Sequence, residues 1–149
     1  MSEISEAIQD KCLAFADRVI KLNDYLLEQA ANDVPTKQHL PSSIKHLPSR
    51  VPVHLKSVAT LCNQLLRSGT SIGANNAEAC NAISRADFKS KSFIALKEAR
   101  ESLYWIDLLH RNGYLTDEQF KSIYTDAEEL VKVLTHRCKK LDENGGDGK

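Results

Sequence analysis

Apolar residues recur along most of the chain at the three-to-four-residue spacing of an amphipathic helix. We predict helices over about residues 3–31, 54–83, 84–112 and 116–141. No segment shows the two-residue alternation that is typical of a β-strand. The pattern therefore indicates an all-α protein, and helices of this length with short second and third connections favour an antiparallel up-and-down four-helix bundle.

Capping residues support the ends of these segments. Ser84 followed by Asp87 is a variant of the N-terminal capping box, and Thr116 with Gln119 fits the box directly. Gly113 is a good C-terminal signal for the third helix. We expect one domain over residues 1–141 and a disordered polar tail over 142–149.

Two interruptions stand out. All the prolines lie between Pro35 and Pro52, which predicts an irregular connection over 32–53, either a functional surface loop or a mobile one. Gly69 and Gly73 lie four residues apart inside the second helix, where each costs about 1 kcal/mol relative to alanine. We expect another backbone to approach closely there.

The third helix carries more apolar surface than one core face needs. Its predicted core face consists of Phe88, Ser92, Ala95, Leu96, Ala99, Leu103 and Ile106. A second face carries Ile94, Trp105 and Leu108, and a third carries Phe93 and Tyr104. We predict that these five residues form an oligomer interface. The alternative is that Trp105 and Tyr104 lie over the bundle edge with their polar ends in water.

Polar residues follow part of the second and third helices. The predicted polar seam consists of Ser68, Ser71, Asn75, Glu78, Lys97 and Glu101. Asn75 is the expected centre of a hydrogen-bonded network there. We interpret the seam as a feature that fixes the register between helices or subunits, with a ligand or partner site as the alternative.

The net charge and the set of reactive residues limit the functions that the sequence supports. Twenty basic residues balance twenty acidic ones, unlike a typical nucleic-acid binder. An RNA- or DNA-binding role stays open, and it would use Arg67, Arg85, Lys89, Lys91 and Arg100. The four separated cysteines are expected as buried free thiols in the cytoplasm, and no apolar run is long enough for a membrane span. With no phosphate loop, metal-binding histidine spacing or catalytic set, we expect no enzyme activity, cofactor or metal.

Several segments resemble a known family. Gln64-Leu-Leu-Arg-Ser-Gly-Thr-Ser-Ile-Gly-Ala-Asn75, followed by Ala77-Glu-Ala79, is close to the signature of the bacterial four helix bundle proteins, also called the 23S rRNA intervening-sequence or S23 proteins. The family's third helix is matched by Ser84-Arg-Ala-Asp-Phe88, Ile94-Ala-Leu-Lys-Glu-Ala99 and Tyr104-Trp-Ile-Asp-Leu-Leu109, and its first helix by residues 11–22. Asn76 departs from the apolar residue that is usual in the family.

The resemblance implies an up-and-down bundle that assembles as a ring, typically a homopentamer, without enzyme activity. A related branch, the accessory variability proteins of diversity-generating retroelements, forms similar pentamers that bind a reverse transcriptase and nucleic acid. Our leading hypothesis is a self-assembling, non-catalytic scaffold or binding module. The alternative is an accessory protein that binds RNA or DNA beside a reverse transcriptase or ribosomal RNA.

Overall fold

The computed structural model describes residues 3–32 and 53–143. These residues form helices and the short turns between them, which confirms the predicted all-α class. The helices are α1 (Glu3–Asn32), α2 (Val53–Cys80), α3 (Arg85–Arg111) and α4 (Asp117–Glu143).

The helices pack as an up-and-down bundle. α2 lies between α1 and α3, and α4 closes the bundle by contacting α3 and α1. Side-chain pairs such as Lys11–Glu129 and Arg18–Asp126 run in opposite sequence directions along α1 and α4, so these helices are antiparallel. Within the described residues α1 and α3 do not contact one another. They therefore occupy diagonally opposite corners.

The core is formed by apolar side chains of all four helices. Its largest fully buried side chains include Phe15 of α1, Ile72 of α2, Ile106 of α3 and Leu134 of α4. One expectation is wrong: the second helix was predicted to continue to residue 83, yet α2 ends at Cys80. The side chain of Ile83 lies in the following turn and is 96% exposed.

The predicted helix ends are present as hydrogen-bonded caps. The Ser84 side chain accepts a hydrogen bond from the Asp87 backbone N–H at 3.1 Å. Thr116 and Gln119 form the full capping box, with reciprocal bonds of 3.0 and 3.2 Å. Gly113 follows α3 with φ +75°, a conformation that glycine adopts without a steric cost.

Two predicted segments fall largely outside the described residues. Only the end residues of the proline-rich connection over 32–53 are described, and they belong to α1 and α2. Asp142 and Glu143, which were predicted to lie in a disordered tail over 142–149, belong to α4. Residues 144–149 are not among those described.

Gly69 and Gly73 both face α1. A Cβ atom on Gly69 would lie 3.1 Å from Cγ2 of Val19, while one on Gly73 would lie 3.4 Å from Cβ of Cys12. The first separation is too short for an undisturbed packing contact, and the second is an ordinary one. The missing side chain is therefore a packing requirement at Gly69 more than at Gly73.

We predict opposite effects of substitutions at the two glycines. Gly69→Val should lower the free energy of unfolding by about 1–3 kcal/mol, because the added methyl groups overpack the contact with Val19. Gly73→Ala should raise it by up to about 1 kcal/mol, because alanine is the better helix former and fits the space. Urea unfolding at equal protein concentration measures both. Equal destabilisation by the two changes would contradict this account of the α1–α2 contact.

Candidate interaction site on the third helix

The side of α3 that faces away from the bundle is rich in apolar residues. Phe93 is 38% exposed and Tyr104 is 59% exposed, while Ile94, Trp105 and Leu108 are half-buried. An open, mainly apolar depression lies on this surface around Phe93 and Ile94. We call Phe93, Ile94, Tyr104, Trp105 and Leu108 the outward α3 face.

Trp105 lies at the edge of this face and belongs partly to the core. Its ring packs against the core cluster and meets the Tyr104 ring edge-on, with centroids 4.8 Å apart. Its Nε1–H donates to Oε1 of Glu101 at 3.1 Å. Trp105 thus lies at the edge of the bundle with its N–H bonded to Glu101, whereas Phe93 and Tyr104 are exposed.

Basic side chains surround the outward aromatic residues. Lys97 and Arg100 are exposed, and Nζ of Lys89 lies 5.9 Å from the centre of the Phe93 ring. Lys89 also forms an ion pair with Asp142 at 2.6 Å. A groove of about 390 Å³ between α3 and α4 brings Lys97 and Arg100 together with Phe93. This part of the surface combines positive charge with an exposed aromatic ring.

The proposed nucleic-acid residues do not form one patch. Lys89 and Arg100 share the outward side of α3, because they lie about three turns apart on one helix face. Arg67 lies on α2 and donates to Gln64, and Lys91 forms an ion pair with Glu78 that raises the pKa of its ammonium group. Arg85 is exposed at the start of α3.

The predicted polar seam is only partly a contact between helices. Ser68 is buried and accepts a hydrogen bond from Ser102 of α3 at 2.9 Å. Glu78 pairs with Lys91 across the same helices. Asn75 instead donates to Ser71 within α2, so it is not the centre of an interhelical network.

Lys97 and Glu101 lie outside the seam. Lys97 is exposed beside Phe93, and the carboxylate of Glu101 accepts the hydrogen bond from Trp105. Lys97 and Glu101 therefore belong to the outer surface of α3 and its edge, and not to its contact with α2.

The buried polar side chain that links several helices is that of Asn76, the neighbour of Asn75. In the sequence Asn76 stood out only because the family usually has an apolar residue at this position. Its side chain is fully buried. It donates to Oε1 of Gln9 at 2.5 Å and accepts from Nη1 of Arg137 at 2.6 Å. The amide thus joins α1, α2 and α4, and the Arg137 guanidinium also lies 5.7 Å from the Phe88 ring centre on α3.

The Arg137 guanidinium depends heavily on this contact. Its second terminal nitrogen, Nη2, is buried and has no hydrogen-bond partner among the described residues. A buried charged donor without a partner is costly, so the loss of the Asn76 oxygen would leave Arg137 still less compensated. The sequence carried one signal of this buried contact, because Asn76 lies among the apolar positions of the second helix.

The cysteines show no sign of activation. Cys12, Cys62 and Cys138 are buried free thiols, and Cys80 is half-buried. Burial raises the pKa of the Cys12 and Cys62 thiols to about 11. Because the thiolate is the reactive form, these side chains are protonated at neutral pH and are poor nucleophiles.

The described helices also provide little for other site types. Across residues 3–32 and 53–143, no group of three or more histidine, cysteine, aspartate or glutamate side chains is placed to hold a metal ion. None of the described helices is long and apolar enough to cross a membrane. The outward α3 face, with its exposed Phe93 and Tyr104, is the candidate interaction site considered below.

We predict that Asn76 is more important for stability than its neighbour Asn75. Asn76→Leu should lower the free energy of unfolding by about 1–3 kcal/mol, because it leaves buried polar groups of Arg137 and Gln9 unpaired. Asn75→Leu is the matched control and should cost less, since its hydrogen bonds remain within α2.

A double-mutant cycle isolates the interaction between Asn76 and Arg137. The Asn76→Leu/Arg137→Met protein should lose less stability than the sum of the single changes, because removing both partners leaves no unpaired charge. Denaturant unfolding measures all four proteins. Strict additivity, or an equal cost at Asn75 and Asn76, would refute the role assigned to this contact.

Comparison with known proteins identifies the family. Residues 37–136 match the family model described as 23S rRNA-intervening sequence protein. A crystal structure from Bacteroides thetaiotaomicron, of a protein of unknown function from the S23 ribosomal protein family, is similar at a TM-score of 0.68 and 38% identity. The match covers 91% of this chain and 98% of that one. No curated protein matches the chain. The chain belongs to the 23S rRNA-intervening sequence protein family.

Proposed function

We propose that this protein is a non-catalytic helical bundle that self-assembles through the outward α3 face into a ring-like homo-oligomer, of the pentameric kind that the family resemblance implies. The assembly would serve as a scaffold or binding module for a partner. The single observation that carries the proposal is the exposure of Phe93 and Tyr104 on one side of α3. Two aromatic rings on one helix face are typical of a protein interface.

The energetics favour covering this face. An aromatic side chain can bury about 150–250 Å². Removal of apolar surface from water contributes about 25 cal/mol per Å², so the unburied parts of Phe93 and Tyr104 are a substantial driving force. Within one protomer both rings lie on the side of α3 turned away from its packed core face. A second protein surface, such as another copy, can cover them.

We predict that Phe93→Asp and Tyr104→Asp disperse the assembly to protomers of 16.6 kDa while the helical content stays unchanged. The introduced carboxylate would have to be desolvated in the interface. Ile83→Asp is the matched control, because it also places a carboxylate on an exposed apolar position, but in the turn before α3. Light scattering after gel filtration gives the mass, and circular dichroism gives the helical content.

Trp105 is a less suitable position for this test. Its ring packs against the core and its N–H is bonded to Glu101, so a charged residue there would disturb the protomer as well as the interface. An unchanged oligomer mass in both the Phe93→Asp and Tyr104→Asp proteins would refute self-assembly through this face. Equal dispersal by Ile83→Asp would show that the loss is not specific to it.

The second candidate function is RNA or DNA binding, and the observation that favours it is the position of Lys97 and Arg100 beside Phe93. Proteins commonly bind single-stranded nucleic acid with aromatic rings, on which the bases stack, and with exposed cations, which pair with the phosphates. A reverse transcriptase is a further partner that the resemblance implies. If this function holds, affinity for single-stranded RNA should fall steeply with salt and weaken in Lys97→Glu/Arg100→Glu. No binding at about 50 mM salt would exclude it.

A further inference from the structure

A second exposed apolar surface lies on α1, diagonally across the bundle from α3. Leu13 is 55% exposed and Ile20 is 42% exposed. They are seven residues apart, so they lie on one side of the helix, two turns from each other. Neither belongs to the core stripe of α1, which runs through Cys12, Phe15 and Val19. These two side chains form an aliphatic surface that the bundle leaves uncovered.

Acidic residues surround this aliphatic pair. Five exposed carboxylates lie within about 60° of Leu13 around the helix axis. They are Glu6, Asp10, Asp17, Asp24 and Glu28. Lys21 is the basic residue nearest to them, at about 80°. We call Leu13, Ile20 and these five acidic residues the outward α1 face, and its charge is negative.

The charged residues that surround the outward α3 face are mainly basic, so the charge there is opposite to that of the outward α1 face. Lys97 and Arg100 lie within about 40° of Phe93 around the axis of α3, and Arg111 lies on the same side. Asp107 there is engaged by Arg111 at 2.7 Å, and Lys89 is partly neutralised by Asp142. A net positive aromatic surface on α3 thus opposes a net negative aliphatic surface on α1.

The placement of the two faces decides how copies can meet. α1 and α3 occupy opposite corners of the bundle, so their outward faces point away from each other. A symmetric contact between two α3 faces would bring Lys97 and Arg100 against their own copies, which is electrostatically unfavourable. A contact between the α3 face of one copy and the α1 face of the next pairs opposite charges and covers both apolar surfaces.

We infer that the protein assembles head to tail, with the outward α3 face of one protomer seated on the outward α1 face of a second copy. This inference rests on the proposed self-assembly and names the surface that receives α3. Head-to-tail contacts of this kind generate rings when the rotation closes.

Charge reversal tests the pairing. The α3 variant is Lys97→Glu/Arg100→Glu. The α1 variant is Asp10→Lys/Asp17→Lys/Asp24→Lys, which leaves two carboxylates against three lysines on the outward α1 face. The control is Lys121→Glu/Lys132→Glu, which reverses two exposed charges on α4. Masses are measured by light scattering at matched concentration and about 50 mM salt, and circular dichroism confirms that each protein is folded.

We expect the α3 and α1 variants each to raise the dissociation constant of the assembly at least tenfold, and the α4 control to leave it unchanged. A protein that carries both reversals restores opposite charges in the contact and should regain the mass of the unmodified assembly. An α1 variant that assembles normally while the α3 variant disperses would overturn the assignment of α1 as the surface that receives α3 and leave the proposed function standing. Failure of the combined protein to reassemble would likewise overturn it.

A mixing experiment gives an independent readout. Leu13→Asp disables only the α1 face and Phe93→Asp disables only the α3 face. In a head-to-tail assembly the two proteins together retain one intact contact, so they should form a heterodimer of twice the protomer mass and nothing larger. If α3 faces bind each other, the Leu13→Asp protein should assemble alone and no heterodimer should form. That result would refute the role of α1, whereas assembly of the Phe93→Asp protein alone would refute the proposed function itself.

Discussion

A helix in a four-helix bundle packs against two neighbours and keeps its remaining side toward the surroundings. In this chain the open side matters most for α3, because Phe93 and Tyr104 lie on it. The core itself needs neither ring, because Ile106 and Leu109 already fill the buried side of α3. This surplus apolar surface is the observation on which the proposed self-assembly rests.

Inside the bundle, polar contacts determine which helices lie side by side. The buried amide of Asn76 links Gln9 of α1 to Arg137 of α4, and the Ser68–Ser102 hydrogen bond links α2 to α3. Apolar packing alone tolerates sliding of one helix along another, while paired buried polar groups penalise it. The Asn76–Gln9 hydrogen bond and the tight contact at Gly69 together favour one register for the α1–α2 pair.

The fold could be predicted from periodicity and caps, because each apolar stripe and each cap acts within one helix. Ser84, Thr116 and Gly113 mark their helix ends as expected. The contacts between helices were harder to predict. Asn75 and Asn76 are adjacent and chemically identical, and only the rotation of α2 decides that the second one is buried. The exposed face of α1 was missed for the same reason, since the charges around Leu13 acquire meaning only once α3 is known to lie opposite.

The bundle therefore presents two outward faces of opposite charge and no activated nucleophile among its described cysteines. The chain belongs to the 23S rRNA-intervening sequence protein family. The central claim is that the chain does not remain a single bundle in solution. Sedimentation velocity of the unmodified protein at micromolar concentration tests it most directly. The account predicts one discrete species several times heavier than the 16.6 kDa protomer, and a single species of 16.6 kDa would contradict it.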